Sequence, residues 1–184
     1  MSFLSGLRGG TDVGFDGYDE FVPDHLPEPG PFLTDADVLT GTDHAAFHRL
    51  TMDLFDERGV YDMTFGYNLA QLNLDQRHPD SGFRYARDGD VLRAAFTPTT
   101  EFCPQSDTLT VGAFRAWNGL SDRHEYDVVS VRVDAMHHQS EAINERLMDL
   151  ESRYRETGEL VDAESDAAAE GPQSDVDPSD DLPF

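Results

Sequence analysis

The spacing of apolar residues divides the chain into segments of helical and of extended periodicity. Residues 43–58 carry their large apolar side chains on one helical face, and Gly59 follows as a stop signal. Asp43 stands where it can cap the amino end of this helix. A last helix is predicted to begin near Ser140, because Ile143, Leu147 and Leu150 again share one face.

Between these two helices the pattern favours strands. Residues 60–76 alternate apolar and polar positions, with a change of parity that predicts a bend or bulge. Asp88-Gly89 is a hairpin signal between short strands at 83–86 and 91–97. A helix over 105–118, with Ser106 as its candidate cap, precedes a strand over 126–133. This order predicts an α+β fold, in which helices pack on a small mixed sheet in two layers.

The two ends of the chain differ from this central body. Residues 1–35 are rich in Gly, Pro and Asp without sustained periodicity, and we expect an irregular acidic N-terminal arm. Residues 161–184 hold eight acidic and no basic residues, a composition typical of a disordered acidic tail. The folded α+β domain is therefore predicted to span residues 36–160.

The charge balance argues against nucleic acids as partners and indicates a salt-rich environment. With 13 basic and 37 acidic residues the net charge is −24, which disfavours direct contact with nucleic-acid phosphates. No stretch approaches the roughly 18 consecutive apolar residues of a membrane span. All 13 basic residues are Arg, and Asp outnumbers Glu by 25 to 12. Molar salt screens such self-repulsion, so we expect a cytoplasmic protein of a salt-accumulating, halophilic cell.

The candidate chemistry centres on Cys103, the only cysteine of the chain. A strand is predicted to end at Thr97, Pro98 breaks it, and after a short loop Cys103 stands at the start of the next helix, before Pro104. A helix amino end stabilises the thiolate, which is the nucleophilic and metal-binding form. The alternative is a buried structural cysteine. A lone thiol forms no disulfide within the chain, which fits a reducing compartment.

Two histidine pairs and two carboxylates are further candidates. His137 and His138 follow the last predicted strand, where an imidazole can ligate a metal or accept a proton, or can simply close a loop. His44 and His48 lie one helical turn apart, a spacing able to bind metal, but no third ligand accompanies them. Asp149 and Glu151 are expected on the solvated face of the last helix.

The residues around the cysteine resemble a family motif. In the run Phe96-Thr97-Pro98-Thr99, Cys103 comes five residues after the proline, and Thr108-Leu109 and Gly112 follow. This run is similar to the motif of the MIP-eighteen-like domain. That domain belongs to cytosolic iron–sulfur cluster assembly factors, which are related to PaaD-type metal–sulfur cluster biosynthesis proteins.

The resemblance continues into the last strand and helix. Val131-Arg132-Val133, then His137, then a helix that contains Asn144 resemble the second half of the domain, so the similarity covers residues 90–155. The chain departs from the family where Ala135-Met136 replaces the glycine and threonine before the histidine. It is thus identified as a divergent, salt-adapted relative.

The resemblance implies an accessory factor in iron–sulfur cluster assembly or delivery, which is not an enzyme. Cys103 carries over as the reactive thiol that binds cluster or metal, and Thr97, Pro98, His137 and Asn144 carry over as pocket-shaping motif positions. The implied partners are iron–sulfur apoproteins or scaffold proteins. Because a cluster takes about four ligands, a single Cys103 would hold an iron–sulfur cluster transiently, shared across a homodimer or with a client protein.

Two other functions are compatible with the same residues. The first is a non-catalytic protein-binding module that retains the fold without cluster chemistry, which the altered turn before His137 favours. The second is a thiol enzyme in which His137 acts as base for Cys103. That enzyme would require the two side chains within hydrogen-bond reach, roughly 3 Å for a well-formed pair.

Overall fold

The computed structural model describes residues 14–160 of the chain. The predicted disordered tail at 161–184 and residues 1–13 of the predicted arm lie outside this range. The elements are α1 (Pro31–Thr34), β1 (Asp37–Val38), α2 (Gly41–Arg58), β2 (Tyr61–Asp62), β3 (Tyr67–Asn68), β4 (Gly82–Asp88), β5 (Val91–Thr97), α3 (Ser106–Gly119), β6 (Val128–Val133) and α4 (Ser140–Thr157). Short 3-10 helices occupy Leu69–Leu74 and Ser121–Arg123.

A mixed four-stranded sheet forms the centre, with strand order β1-β4-β5-β6. The β4–β5 hairpin is antiparallel and pairs Gly82 with Thr97, while β6 lies parallel to β5 and pairs Val133 with Phe96. Helix α3 makes the crossover between the two parallel strands. Strands β2 and β3 form a separate small hairpin. The predicted α+β class, with helices packed on a small mixed sheet, is confirmed.

The main core fills the space between the sheet and helices α2, α3 and α4. Trp117 of α3 is fully buried, and its ring lies 5.0 Å from that of Phe55 and 5.3 Å from that of Phe83. Each fully buried large apolar side chain stabilises the fold by about 1.5–3 kcal/mol. On the opposite face the small residues Ala86 and Ala95 leave room for Leu33 of the short helix α1.

The described part of the arm lies against this body. The main chain of residues 14–16 follows the 3-10 segment, where Asp16 N–H donates to the Leu74 carbonyl and Gln76 N–H donates to the Gly14 carbonyl, each at 2.7 Å. Leu26 and Leu33 are buried. None of the helices within residues 14–160 is long and apolar enough to cross a bilayer.

The structure corrects the prediction of an extended segment at 60–76. Only the β2–β3 hairpin is extended, and Leu69–Leu74 then forms a 3-10 helix, which begins where Asn68 Oδ1 accepts the Ala70 N–H at 2.9 Å. This segment lies between α2 and β4. Apolar side chains on several of its sides are therefore buried. The resulting alternation of apolar and polar residues is the pattern that a strand would show.

Both predicted helix caps are also wrong. Helix α2 begins at Gly41 after Thr40, so Asp43 lies inside its first turn. A carboxylate in that turn still stabilises the helix through a favourable interaction with the helix dipole. Helix α3 begins at Ser106 after Gln105, and the buried Ser106 hydroxyl has no hydrogen-bond partner within residues 14–160.

Glu151 is not on a solvated face as predicted. It is 7% exposed and accepts hydrogen bonds from Ser130 Oγ, from Arg132 at 2.9 Å and from Arg155 at 2.8 Å. Burial alone would raise the pKa of this carboxyl, but the three donors outweigh burial and lower it. Asp149 is exposed, as expected.

Candidate functional site

The candidate site lies where the parallel strands β5 and β6 end. The loop after β5 (residues 98–105) and the loop after β6 (residues 134–139) leave the sheet side by side, and Asp134 N–H donates to the Phe96 carbonyl at 2.8 Å. The carboxyl ends of neighbouring parallel strands are a common place for binding sites in folds with helical crossovers. We call residues 98–105 the thiol loop, because they contain Cys103.

Two histidines of the second loop hold the thiol loop by its main chain. The buried ring of His137 contacts the Cys103 carbonyl through Nε2 at 2.8 Å. The exposed His138 bonds the Glu101 carbonyl twice, through its N–H at 3.0 Å and through Nδ1 at 2.7 Å. We call these contacts the histidine clamp. The clamp fixes the path of residues 101–103 without touching the sulfur atom.

The hydrogen bonds of His137 define its tautomer. A carbonyl oxygen only accepts, so Nε2 carries the proton that is donated to Cys103. Nδ1 then accepts the Gln139 N–H at 3.1 Å. Because main-chain groups occupy both ring nitrogens, His137 positions the loop and has no nitrogen left for a metal or for the Cys103 thiol.

Cys103 is partly exposed and unpaired. It does not stand at the helix start as predicted, since α3 begins three residues later, and residues 101–105 form turns in which Cys103 N–H donates to the Thr100 carbonyl at 3.4 Å. The predicted stabilisation of thiolate by a helix amino end therefore does not apply directly. Within residues 14–160 no hydrogen bond involves the Cys103 sulfur.

The other motif positions support the strand ends. Thr97 is the last residue of β5, and the buried Pro98 accepts a 3.5 Å hydrogen bond from Ser81 at its carbonyl. Asn144 of α4 binds both main-chain groups of Val133, accepting at 2.7 Å and donating at 3.0 Å. Of the predicted residues, Cys103 and His137 are thus brought into contact, whereas Thr97, Pro98 and Asn144 hold the frame beneath them.

An exposed apolar group lies along the thiol loop and its neighbours. Met63 is 81% exposed, Phe102 64% and Met136 40%. Phe102 packs its ring 5.1 Å from that of His138, and Gln105 ties the β2–β3 turn to the loop by accepting the Met63 N–H at 3.4 Å. We call Met63, Phe102 and Met136 the apolar rim. Exposed apolar side chains on neighbouring segments are a feature of protein-contact surfaces.

The apolar rim is not evident from the sequence pattern. Met63 lies in the segment 60–76 that is predicted to be extended, and Met136 stands out in the sequence only as a departure from the family motif. The one usable signal is Phe102, a large aromatic residue inside a polar loop next to Cys103.

The residues present set limits on metal binding. Within residues 14–160 no group of three or more His, Cys, Asp or Glu side chains is arranged to hold a metal ion. His48 accepts from the Tyr85 hydroxyl and donates to the Ala70 carbonyl, both at 2.6 Å, so the pair of His44 and His48 is a core feature. Burial lowers the pKa of His48 to about 4 and, with the nearby His48 and Arg84, that of His44 to about 3.

The chain matches a known protein family. A family model described as a domain of unknown function (DUF7998) matches residues 13–161. Since the match covers most of the chain, the protein belongs to this family. No curated protein and no solved structure matches the chain. The family description names no activity and no ligand.

Proposed function

We propose that the protein is an accessory factor in iron–sulfur cluster assembly or delivery, which docks partner proteins around Cys103 and offers its thiol as one transient ligand. The observation that carries the proposal is the partly exposed Cys103 on a loop that the histidine clamp holds by its main chain. A thiol presented in a fixed place can meet a ligand set on another molecule without first ordering its own loop.

The ligands available in the chain fit an iron–sulfur cluster that is held jointly with a partner. A cluster takes about four thiolate or equivalent ligands, and the described residues hold no group of three or more potential ligands, at Cys103 or elsewhere. Cargo would therefore be held jointly with an iron–sulfur apoprotein, with a scaffold protein or with a second copy of this chain. The apolar rim provides contact surface for such a partner. The contacts of His137 support a role without turnover, since main-chain groups occupy both of its ring nitrogens and neither is free to act as base for Cys103.

A second function is a protein-binding module without cluster chemistry. It is favoured by the apolar rim, which needs no thiol, and by Cys103 contributing its carbonyl rather than its sulfur to the contacts within residues 14–160. In both functions the partner lies on the same surface. We place the protein in the cytoplasm, since its composition suits molar salt and its single thiol suits a reducing compartment.

Two variants separate these functions. The full chain is loaded anaerobically with ferrous iron and sulfide in molar KCl, and protein-bound iron, sulfide and visible absorption are measured for wild type, Cys103→Ser and Phe102→Ser. We expect wild type and Phe102→Ser to bind cluster and Cys103→Ser to lose it. Equal spectra for wild type and Cys103→Ser would refute the cluster role.

Partner capture tests the shared surface. Each form is used as bait in a pull-down at molar KCl from the source cell extract. We expect iron–sulfur apoproteins or scaffold proteins with the wild type, and their loss with Phe102→Ser. Capture that depends on Phe102 but not on Cys103, together with no cluster loading, would support the binding module instead.

A further inference from the structure

A groove separate from the thiol loop lies between α2, the β2–β3 hairpin and the arm. Its volume is about 630 Å³, and its lining includes Tyr18, Met52, Asp53, Asp56, Tyr61 and Tyr67. We call it the tyrosine groove. Small-molecule sites commonly have volumes of roughly 300–1,000 Å³, so the groove is large enough for a metabolite-sized ligand.

Local structure fixes the walls of the groove. Met52, Asp53 and Asp56 follow one face of α2, because residues three and four apart are neighbours on a helix surface. Asn68 Nδ2 donates to the Met52 carbonyl at 2.9 Å and so anchors β3 to this helix. Asp62 Oδ1 accepts the Thr64 N–H at 2.7 Å and shapes the hairpin turn. The opposite walls are thus preformed.

The charges in the groove favour a cation. Two carboxylates line it, and its one basic side chain, Arg49, is paired with Asp19 of the arm. Within residues 14–160 the exposed Asp53 carboxylate has neither a hydrogen bond nor an ion pair. The Tyr61 hydroxyl donates to the Asp56 carboxylate, which holds the Tyr61 ring beside it.

The aromatic lining selects among cations. Tyrosine rings attract organic cations through their negative faces, and Tyr18 and Tyr61 are 54% and 40% exposed in the groove wall. A bare metal ion prefers several oxygen ligands, and the described residues hold no cluster of three carboxylates or imidazoles. We propose that the tyrosine groove binds a small organic cation of the alkylammonium class, between its tyrosine rings and the carboxylates of Asp53 and Asp56.

The test uses choline as the cation and 3,3-dimethylbutan-1-ol as its uncharged analogue of the same shape. The full chain is labelled with ¹⁵N, and amide shifts are followed by NMR while choline chloride replaces KCl at constant ionic strength. We expect saturable shifts at Gly66, Asn68 and Gln71, and far smaller shifts with the alcohol. Equal shifts with the alcohol, or no saturable shift with choline, would overturn the proposal.

Matched variants measure how much Tyr61 and Asp53 each contribute to choline binding. We expect Tyr61→Leu to weaken choline binding about threefold to fivefold, from the size of one exposed cation–π contact, and Tyr61→Phe to weaken it less. Asp53→Asn should also weaken binding, whereas Asp149→Asn, which makes the same charge change on exposed α4, should not. If Asp149→Asn and Asp53→Asn weaken choline binding equally, the effect comes from the net charge of the chain and the proposed site does not exist. Amide dispersion in the same spectra shows that each variant is folded.

Discussion

Replacing His137 by alanine tests the histidine clamp most sharply. The change removes the donor to the Cys103 carbonyl, the acceptor of the Gln139 N–H, and the packing of a ring that is 3% exposed. The Cys103 carbonyl would keep only the long 3.4 Å hydrogen bond from the Ser106 N–H, so loss of the His137 donor costs about 0.5–1.5 kcal/mol, while water can replace the partner of the exposed Gln139. With the lost packing, we expect the free energy of unfolding to fall by about 2–4 kcal/mol.

His138→Ala is the matched control. Its ring is exposed, and its main-chain N–H would still bond the Glu101 carbonyl, so we expect a cost of about 0.5–1 kcal/mol. Urea unfolding in molar KCl, followed by the fluorescence of Trp117, the only tryptophan, measures both values. Similar losses for the two variants would show that His137 does not hold the loop as described.

Three further predictions concern stability, each measured by urea unfolding. As the pH is lowered from 6.5 to about 4, the free energy of unfolding should decrease by up to about 1.4 kcal/mol per pH unit for each buried histidine, because the unfolded chain binds protons that these rings exclude in the folded state. His44→Phe should make this pH dependence less steep, and an unchanged slope would contradict the assignment. Gly82→Ala should cost about 2–4 kcal/mol, since φ is +115° and a Cβ would collide with the Asn73 amide, whereas Gly89→Ala, in open space, should cost about 1 kcal/mol. Glu151→Gln should cost about 2–4 kcal/mol by leaving two arginines without their buried carboxylate, and a cost as small as that of Asp149→Asn would argue against the network.

Much of the fold follows from local patterns. The Asp88-Gly89 signal and the alternation on either side predict the β4–β5 hairpin, although the two turn residues are Gly89 and Asp90, since Asp88 still pairs with Val91. The stripe of Ile143, Leu147 and Leu150 predicts α4 from Ser140. These signals work because each element has one buried face. The 3-10 helix at Leu69–Leu74 does not have a single buried face, since α2 and β4 cover it from two sides.

The candidate site is predictable in position but not in detail. The spacing of Cys103 and His137 places both after strands, and parallel pairing of β5 and β6 then brings their loops together. The sequence does not reveal that the imidazole binds main-chain groups on both sides, because that depends on the paths of two turns. The tyrosine groove depends on still longer separations, since Tyr18 reaches it from the arm.

The accessibility of Cys103 in the folded state tests the account most directly. The full chain in molar KCl is treated with iodoacetamide under native conditions, and mass spectrometry follows the labelling of this single cysteine against the same chain in urea. We predict complete labelling of the folded protein, faster in His137→Ala as the loop loosens. Labelling that occurs only after unfolding would mean that Cys103 is sealed in the interior and cannot meet a ligand or a partner.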